Sequence, residues 1–144
     1  MQIKSVFGNG KRIPSKYTCD GENINPPLEF IDVPKNAKSL VLIVDDLNSP
    51  SKAWSHWLLW GIPANVRKIP EDSVPTDAIE GVNDFGKIGY GGPCPHLGEH
   101  RYQFKLYALD AEFKSTKELT KSNLENAIKV HVIEQAVLTG TYSR

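Results

Sequence analysis

The run SLVLIVD, Ser39 to Asp45, decides the fold reading: five apolar residues in succession, most of them β-branched, with no polar alternation. Such a run predicts a strand buried on both faces. Asp45 and Asp46 close it, a short loop from Leu47 to Ala53 follows, and His56 to Ile62 reads as a second strong strand. Strict alternation there places His56, Leu58 and Trp60 on one face and Trp57, Leu59 and Gly61 on the other. Upstream, Pro26-Pro27 deliver a strand at Leu28 to Ile31, and Ile3, Val6 and Phe7 suggest another near the start. Downstream, Tyr102 to Leu109 alternates as a half-buried strand and Ile133 to Tyr142 returns to strand character. One helix is predicted, capped by Thr120, with Leu124, Ala127, Ile128 and His131 at helical spacing. Short strands with one late helix argue for a mainly β, antiparallel protein and against βαβ units.

The 144 residues fit a single domain, 1–144. Seventeen basic residues balance seventeen acidic ones, with no block of like charge, so a nucleic-acid footprint is absent. The opening MQIKSVFGNGKRIP has no apolar core of a leader, and no apolar run is long enough to span a bilayer. These features predict a soluble, cytoplasmic protein with no integral membrane association. In that compartment Cys19 and Cys94 are expected as free thiols.

Gly81 to Tyr102, GVNDFGKIGYGGPCPHLGEHRY, holds six of the eleven glycines and two of the ten prolines and is expected to be irregular. It also carries Cys94, His96, His100, Tyr90 and Tyr102, and a loop rich in titratable groups on a β scaffold is where binding chemistry is expected. His96 and His100 are four apart, but Pro95 and Gly98 argue against the helix that would align them on a metal, so no metal is expected. Cys94 lies in no catalytic-cysteine signature. GYGGP does not join a strand to a helix, as a phosphate loop would, and no cofactor is expected. What remains is Asp46 and His56 near facing strand ends, joined to Cys94, His100 and Tyr102. From spacing alone, a solvated aspartate with core histidines and a binding site are equally good readings.

VDDLNSP at Val44 to Pro50, WSHW at Trp54 to Trp57 and GPCPHLGEHRY at Gly92 to Tyr102 together resemble the phosphatidylethanolamine-binding protein family, in its prokaryotic Raf-kinase-inhibitor-like branch. YTCDG at Tyr17 to Gly21, NPPL at Asn25 to Leu28, NDFGKIGYGG at Asn83 to Gly92 and the final LTGTYSR extend the likeness almost end to end. The resemblance implies a β-sandwich of two antiparallel sheets with Greek-key connections and a small pocket for phosphate-type anions. It places the ligand-binding residues at Asp46, Pro50, Trp54, His56, Cys94, Pro95, His100 and Tyr102. It further implies a small anionic or zwitterionic phosphate-containing ligand, a regulatory or inhibitory role toward a kinase or serine protease, and a homodimer. The alternative is a hydrolase or transferase using Asp46, His56, Cys94 and Tyr102, for which no complete catalytic constellation can be assembled. The family's Asp-Pro-Asp-x-Pro reads Asp46-Leu47-Asn48-Ser49-Pro50 here, and His96 stands where proline is common.

Overall fold

The computed structural model describes residues 1–50 and 52–144. These form strands β1 (Gln2–Lys4), β2 (Lys11–Arg12), β3 (Leu28–Ile31), β4 (Ser39–Asp46), β5 (Trp54–Pro63), β6 (Lys68–Ile69), β7 (Ile79–Glu80), β8 (Glu99–Leu109) and β9 (Val132–Ser143), with one helix, α1 (Lys121–Ile128). A three-stranded sheet, β1-β3-β6, packs over a six-stranded sheet, β2-β9-β8-β4-β5-β7. All pairings are antiparallel except the short one between β2 and β9. After the β4–β5 hairpin the chain visits the small sheet as β6, returns to the edge of the large sheet as β7 beside β5, and then crosses over to pair as β8 with the other side of β4, the expected Greek-key type of connection.

The unbroken apolar run of β4 has a direct physical cause. Leu40, Leu42 and Val44 enter the core between the sheets, with Trp57, Leu59, Phe104 and Leu106 and, from the small sheet, Ile3, Phe30 and Ile69. Val41 and Ile43 enter a second cluster on the outer face, with Leu58, Trp60 and Leu109 beneath Leu124 and Ile128 of α1. All eight residues of β4 are therefore buried, each large apolar side chain contributing roughly 1.5–3 kcal/mol. Helix α1 begins as the sequence predicts, the Thr120 hydroxyl accepting the Asn123 N–H at 3.1 Å, and ends in a 3-10 turn, Lys129–His131.

Asp45 and Asp46 stand on opposite faces, because neighbouring strand residues alternate. Asp45, buried on the helix side, is compensated by Lys105 at 2.8 Å and Lys121 at 3.2 Å. Neither of its oxygens makes a well-aligned hydrogen bond, so the compensation is one of charge. Asp46 faces the other way, at the edge of the inner core.

The free-thiol expectation is wrong: Cys19 and Cys94 form a disulfide across a sequence separation of 75, their Cα atoms 5.4 Å apart. Compartment sets only the average fate of thiols, whereas here backbone contacts bring the two segments within bridging reach. The Cys19 N–H donates to the Pro93 carbonyl at 3.1 Å, the Gly92 N–H to Asn23 Oδ1 at 2.8 Å, and the Tyr90 hydroxyl to the Tyr17 carbonyl at 2.7 Å. The expected irregularity of Gly81 to Tyr102 holds as far as Gly98, after which β8 begins at Glu99, three residues before the expected start at Tyr102.

Candidate functional site

A break in the β4–β5 ladder creates the site. The partners run Val44 with Trp57 and then Asp45 with Ser55, leaving His56 as the extra residue of a bulge. Bulges bend a strand and re-aim a side chain. The His56 ring accordingly packs edge-on to Tyr102 of the inner core, centroids 5.3 Å apart. The alternation that groups His56 with Leu58 and Trp60 on the helix side therefore fails at this residue.

The irregular segment is moored to the bulge. The Gly91 N–H donates to the His56 carbonyl at 2.9 Å, and the Gly91 carbonyl accepts from His56 Nδ1 at 2.6 Å. The side chain of Asn83 stitches the preceding turn, accepting from the N–H groups of Phe85 and Lys87 and donating to the Gly89 carbonyl. Glycine is required where this segment crosses the Cys19 loop: a Cβ on Gly92 would lie 2.4 Å from the Tyr17 carbonyl oxygen.

Between these elements lies a cavity of about 320 Å³, the lower end of the range for small-ligand sites. Asp46, Trp54, His56 and His100 line it, with Pro50, Cys94 and Pro95. Tyr102, the eighth residue expected in the site, is not on the lining; it lies behind the histidines, with the His100 ring stacked at 6.5 Å. Burial and the nearby Asp46 carboxylate push the Tyr102 phenol well up, so it stays protonated. Ser49, Phe85 and His96 also line the cavity and were not assigned from sequence. Phe85 meets Trp54 at 5.7 Å and His56 at 5.2 Å, edge to face. The only signal for it was a large aromatic in an Asn-Asp-Phe-Gly turn, a place where turns seldom need one. A larger groove of about 700 Å³ between Met1–Asn9 and Gln135–Leu138 offers Lys4 as its only charged side chain, so the titratable chemistry is in the smaller cavity.

Each carboxylate oxygen of Asp46 accepts one hydrogen bond within the protein. Its Oδ2 accepts from His100 Nδ1 at 2.7 Å and its Oδ1 from the Asn48 N–H at 2.8 Å. Asn48 Oδ1 in turn accepts the Arg101 N–H at 2.7 Å, so the residue that replaces the family's second carboxylate pins the 46–50 turn to β8. Because a carbonyl only accepts, His56 Nδ1 must carry the hydrogen, leaving Nε2 as a lone pair. Desolvation lowers the His56 pKa below the ordinary imidazole value, against the opposing pull of the Gly91 carbonyl and Asp46.

This depressed pKa has a consequence for stability. The unfolded chain binds a proton at His56 near pH 6.5 and the folded chain does not, so the stabilisation is complete above that pH and is lost as pH falls below it, down to the folded value. Melting temperatures from pH 7.5 to 5 should fall less steeply for His56→Gln than for the native chain. Parallel curves would show that His56 is not the group responsible.

Residues 3–143 match the family model described as phosphatidylethanolamine-binding protein. The chain belongs to the phosphatidylethanolamine-binding protein family. It is 45% identical to a UPF0098 protein of Methanothermobacter thermautotrophicus, over 100% of this chain and 99% of that one. It is also 44% identical to a UPF0098 protein of Pyrococcus abyssi, over 100% and 85%. The crystal structure of a phosphatidylethanolamine-binding protein homolog from Chlamydia trachomatis superposes with a TM-score of 0.94 at 42% identity, covering 99% of this chain and 97% of that one. YbcL of E. coli, described as a member of the mammalian family, gives 0.92 at 31%, covering 99% and 98%. In this member of the family the Asp46–His100 pair, the bulged His56 and the Cys19–Cys94 bridge meet at one cavity. Among the described residues, no helix is long and apolar enough to cross a membrane.

Proposed function

We propose that this family member is a receptor for a small anionic or zwitterionic phosphate-containing group, acting as a regulatory or inhibitory module. The observation that carries the reading is the convergence of His56, His100 and Asp46 on one small cavity walled by Trp54, Phe85, Pro50 and Pro95. Rigid apolar walls limit the ordering cost of binding, and imidazoles are donors that protonation can switch on. Each charge-assisted hydrogen bond to the ligand would contribute about 1.5–3 kcal/mol. A kinase or serine protease is the partner class proposed, and a homodimer the assembly. The cytoplasm is the proposed compartment, and the Cys19–Cys94 bridge is the observation that weighs against it.

The test is a 15N-labelled titration with phosphoethanolamine and with inorganic phosphate. Shifts should centre on His56, His100, Trp54 and Phe85. Affinity should rise from pH 8 to 5.5 as the phosphate, whose second pKa is near 6, takes up its proton, and His56→Ala should abolish the shifts while leaving the circular dichroism unchanged. Shifts centred elsewhere, or binding unchanged in that variant, would remove the site from this cavity. The hydrolase or transferase reading loses ground because Cys94 is bridged and the Tyr102 hydroxyl is buried behind the cavity. Turnover of a chromogenic phosphoester, lost on His56→Ala, would restore it.

A further inference from the structure

Resting on that reading of the cavity, we infer that the site selects anions that themselves carry a proton: it takes the monoprotonated phosphate monoester and rejects sulfate monoesters and phosphodiesters of the same size. The groups that read the proton are Asp46 and His56.

The argument is an inventory of what each element brings to the cavity wall. No lysine or arginine is among its described lining residues, although fixed cations are the usual means of holding a phosphate. From β4 comes the carboxylate of Asp46, an acceptor with both oxygens already receiving one hydrogen bond and each retaining a further lone pair. From β5 comes His56, whose Nδ1–H is committed to the Gly91 carbonyl, so that its remaining nitrogen is an acceptor. Burial keeps that imidazole in the neutral form to lower pH than an exposed one. From β8 comes His100, whose Nδ1 is committed to Asp46, leaving Nε2 as a lone pair unless a second proton is bound. His96, on the Gly/Pro segment, is the remaining titratable side chain of the lining. The cations nearby are engaged or exposed: Lys52 lies 3.9 Å from Asp84, Arg144, 3.5 Å from Cys94 Sγ, pairs with Asp20 at 3.1 Å, and Arg101 is exposed on β8.

Set against these acceptors are two buried donors without a hydrogen-bond partner, the indole N–H of Trp54 in the lining and the Tyr102 hydroxyl behind the histidines. A wall of this kind matches a ligand that accepts at one oxygen and donates at another. A fully ionised phosphate would face lone pairs and a carboxylate with no fixed cation to offset them. A phosphate monoester has a second pKa near 6 and offers a P–O–H over the physiological range. Sulfate monoesters and phosphodiesters are monoanions of similar shape with no such hydrogen. Leaving a buried acceptor unpaired is the costly outcome, and this is how sites reject analogues that lack a hydroxyl.

Methyl phosphate, methyl sulfate and dimethyl phosphate, none of which has an ammonium to substitute for the missing proton, should be titrated into the full-length native protein at pH 6.5 and followed by amide shifts. Methyl phosphate should bind at least about tenfold more tightly than either analogue, the loss of one well-placed hydrogen bond. In Asp46→Asn, where an amide can turn a donor toward the ligand, the preference should shrink to within about threefold. If methyl sulfate or dimethyl phosphate matches methyl phosphate in the native protein, the proton-reading inference is wrong while the anion receptor stands. If none of the three shifts the cavity resonances, the receptor reading itself fails. The dimethyl phosphate arm also separates a free phosphomonoester from a lipid head group, whose phosphate is a diester.

Discussion

Serine at both Cys19 and Cys94 is expected to lower the unfolding free energy by roughly 4.5 kcal/mol. The bridge closes a loop with a sequence separation of 75, and the chain-entropy cost of leaving such a loop open in the unfolded state is of that size. For a chain of this length the melting temperature should fall by roughly 10–20 °C. Thermal and urea unfolding of the double variant, beside the native protein with and without a dithiol reductant, measures it directly. A fall of less than about 3 °C would mean that the contacts of Cys19 with Pro93 and of Asn23 with Gly92 hold the two loops without the covalent link. The effect should also reach the cavity, since Cys94 and Pro95 form part of its wall and the sulfur of Cys94 lies 3.5 Å from the Arg144 guanidinium.

The second large effect is expected on the opposite face of the same sheet. Replacing both Lys105 and Lys121 by methionine strips the buried Asp45 of its compensating charges. An uncompensated buried carboxylate costs about 3–5 kcal/mol, which urea unfolding would register as a lower midpoint. Adding Asp45→Val to that variant should recover most of the loss, because an apolar group of similar size has no charge to desolvate. Failure of the third substitution to rescue would locate the damage in helix packing instead. Binding at the cavity should be unaffected, since Asp45 and Asp46 look in opposite directions.

Sequence and structure agree where local chemistry alone sets the outcome. The β4 run is apolar throughout because it lies between a second sheet and a helix, and the Thr120 cap is a contact within one turn. The motif residues Asp46, Pro50, Trp54, His56, Pro95 and His100 meet at one cavity, but the Asp46–His100 pair is a contact between distant segments that the motifs do not specify. The rest depends on contacts between distant segments. The bridge forms because the Gly92 segment crosses the Cys19 loop, which no reading of compartment can supply. Phe85 enters the site because Asn83 closes its own turn and Asp84 ties that turn to Ser55 of β5. The orientation of His56 depends on the partner strand, since alternation presumes a regular ladder and the offset appears only when β4 is laid beside β5.

That offset also sets a limit on redesign. Excising one residue near Ser55 to regularise the hairpin would restore continuous pairing and turn the imidazole toward the helix-covered face, where it would be buried among Leu58 and Trp60 with no carbonyl to hold its tautomer. Such a shortened chain should gain thermal robustness and lose the proposed anion binding. Stabilising this scaffold by idealising its strands therefore works against its capacity to recognise anything, and thermostable variants should be sought away from this hairpin.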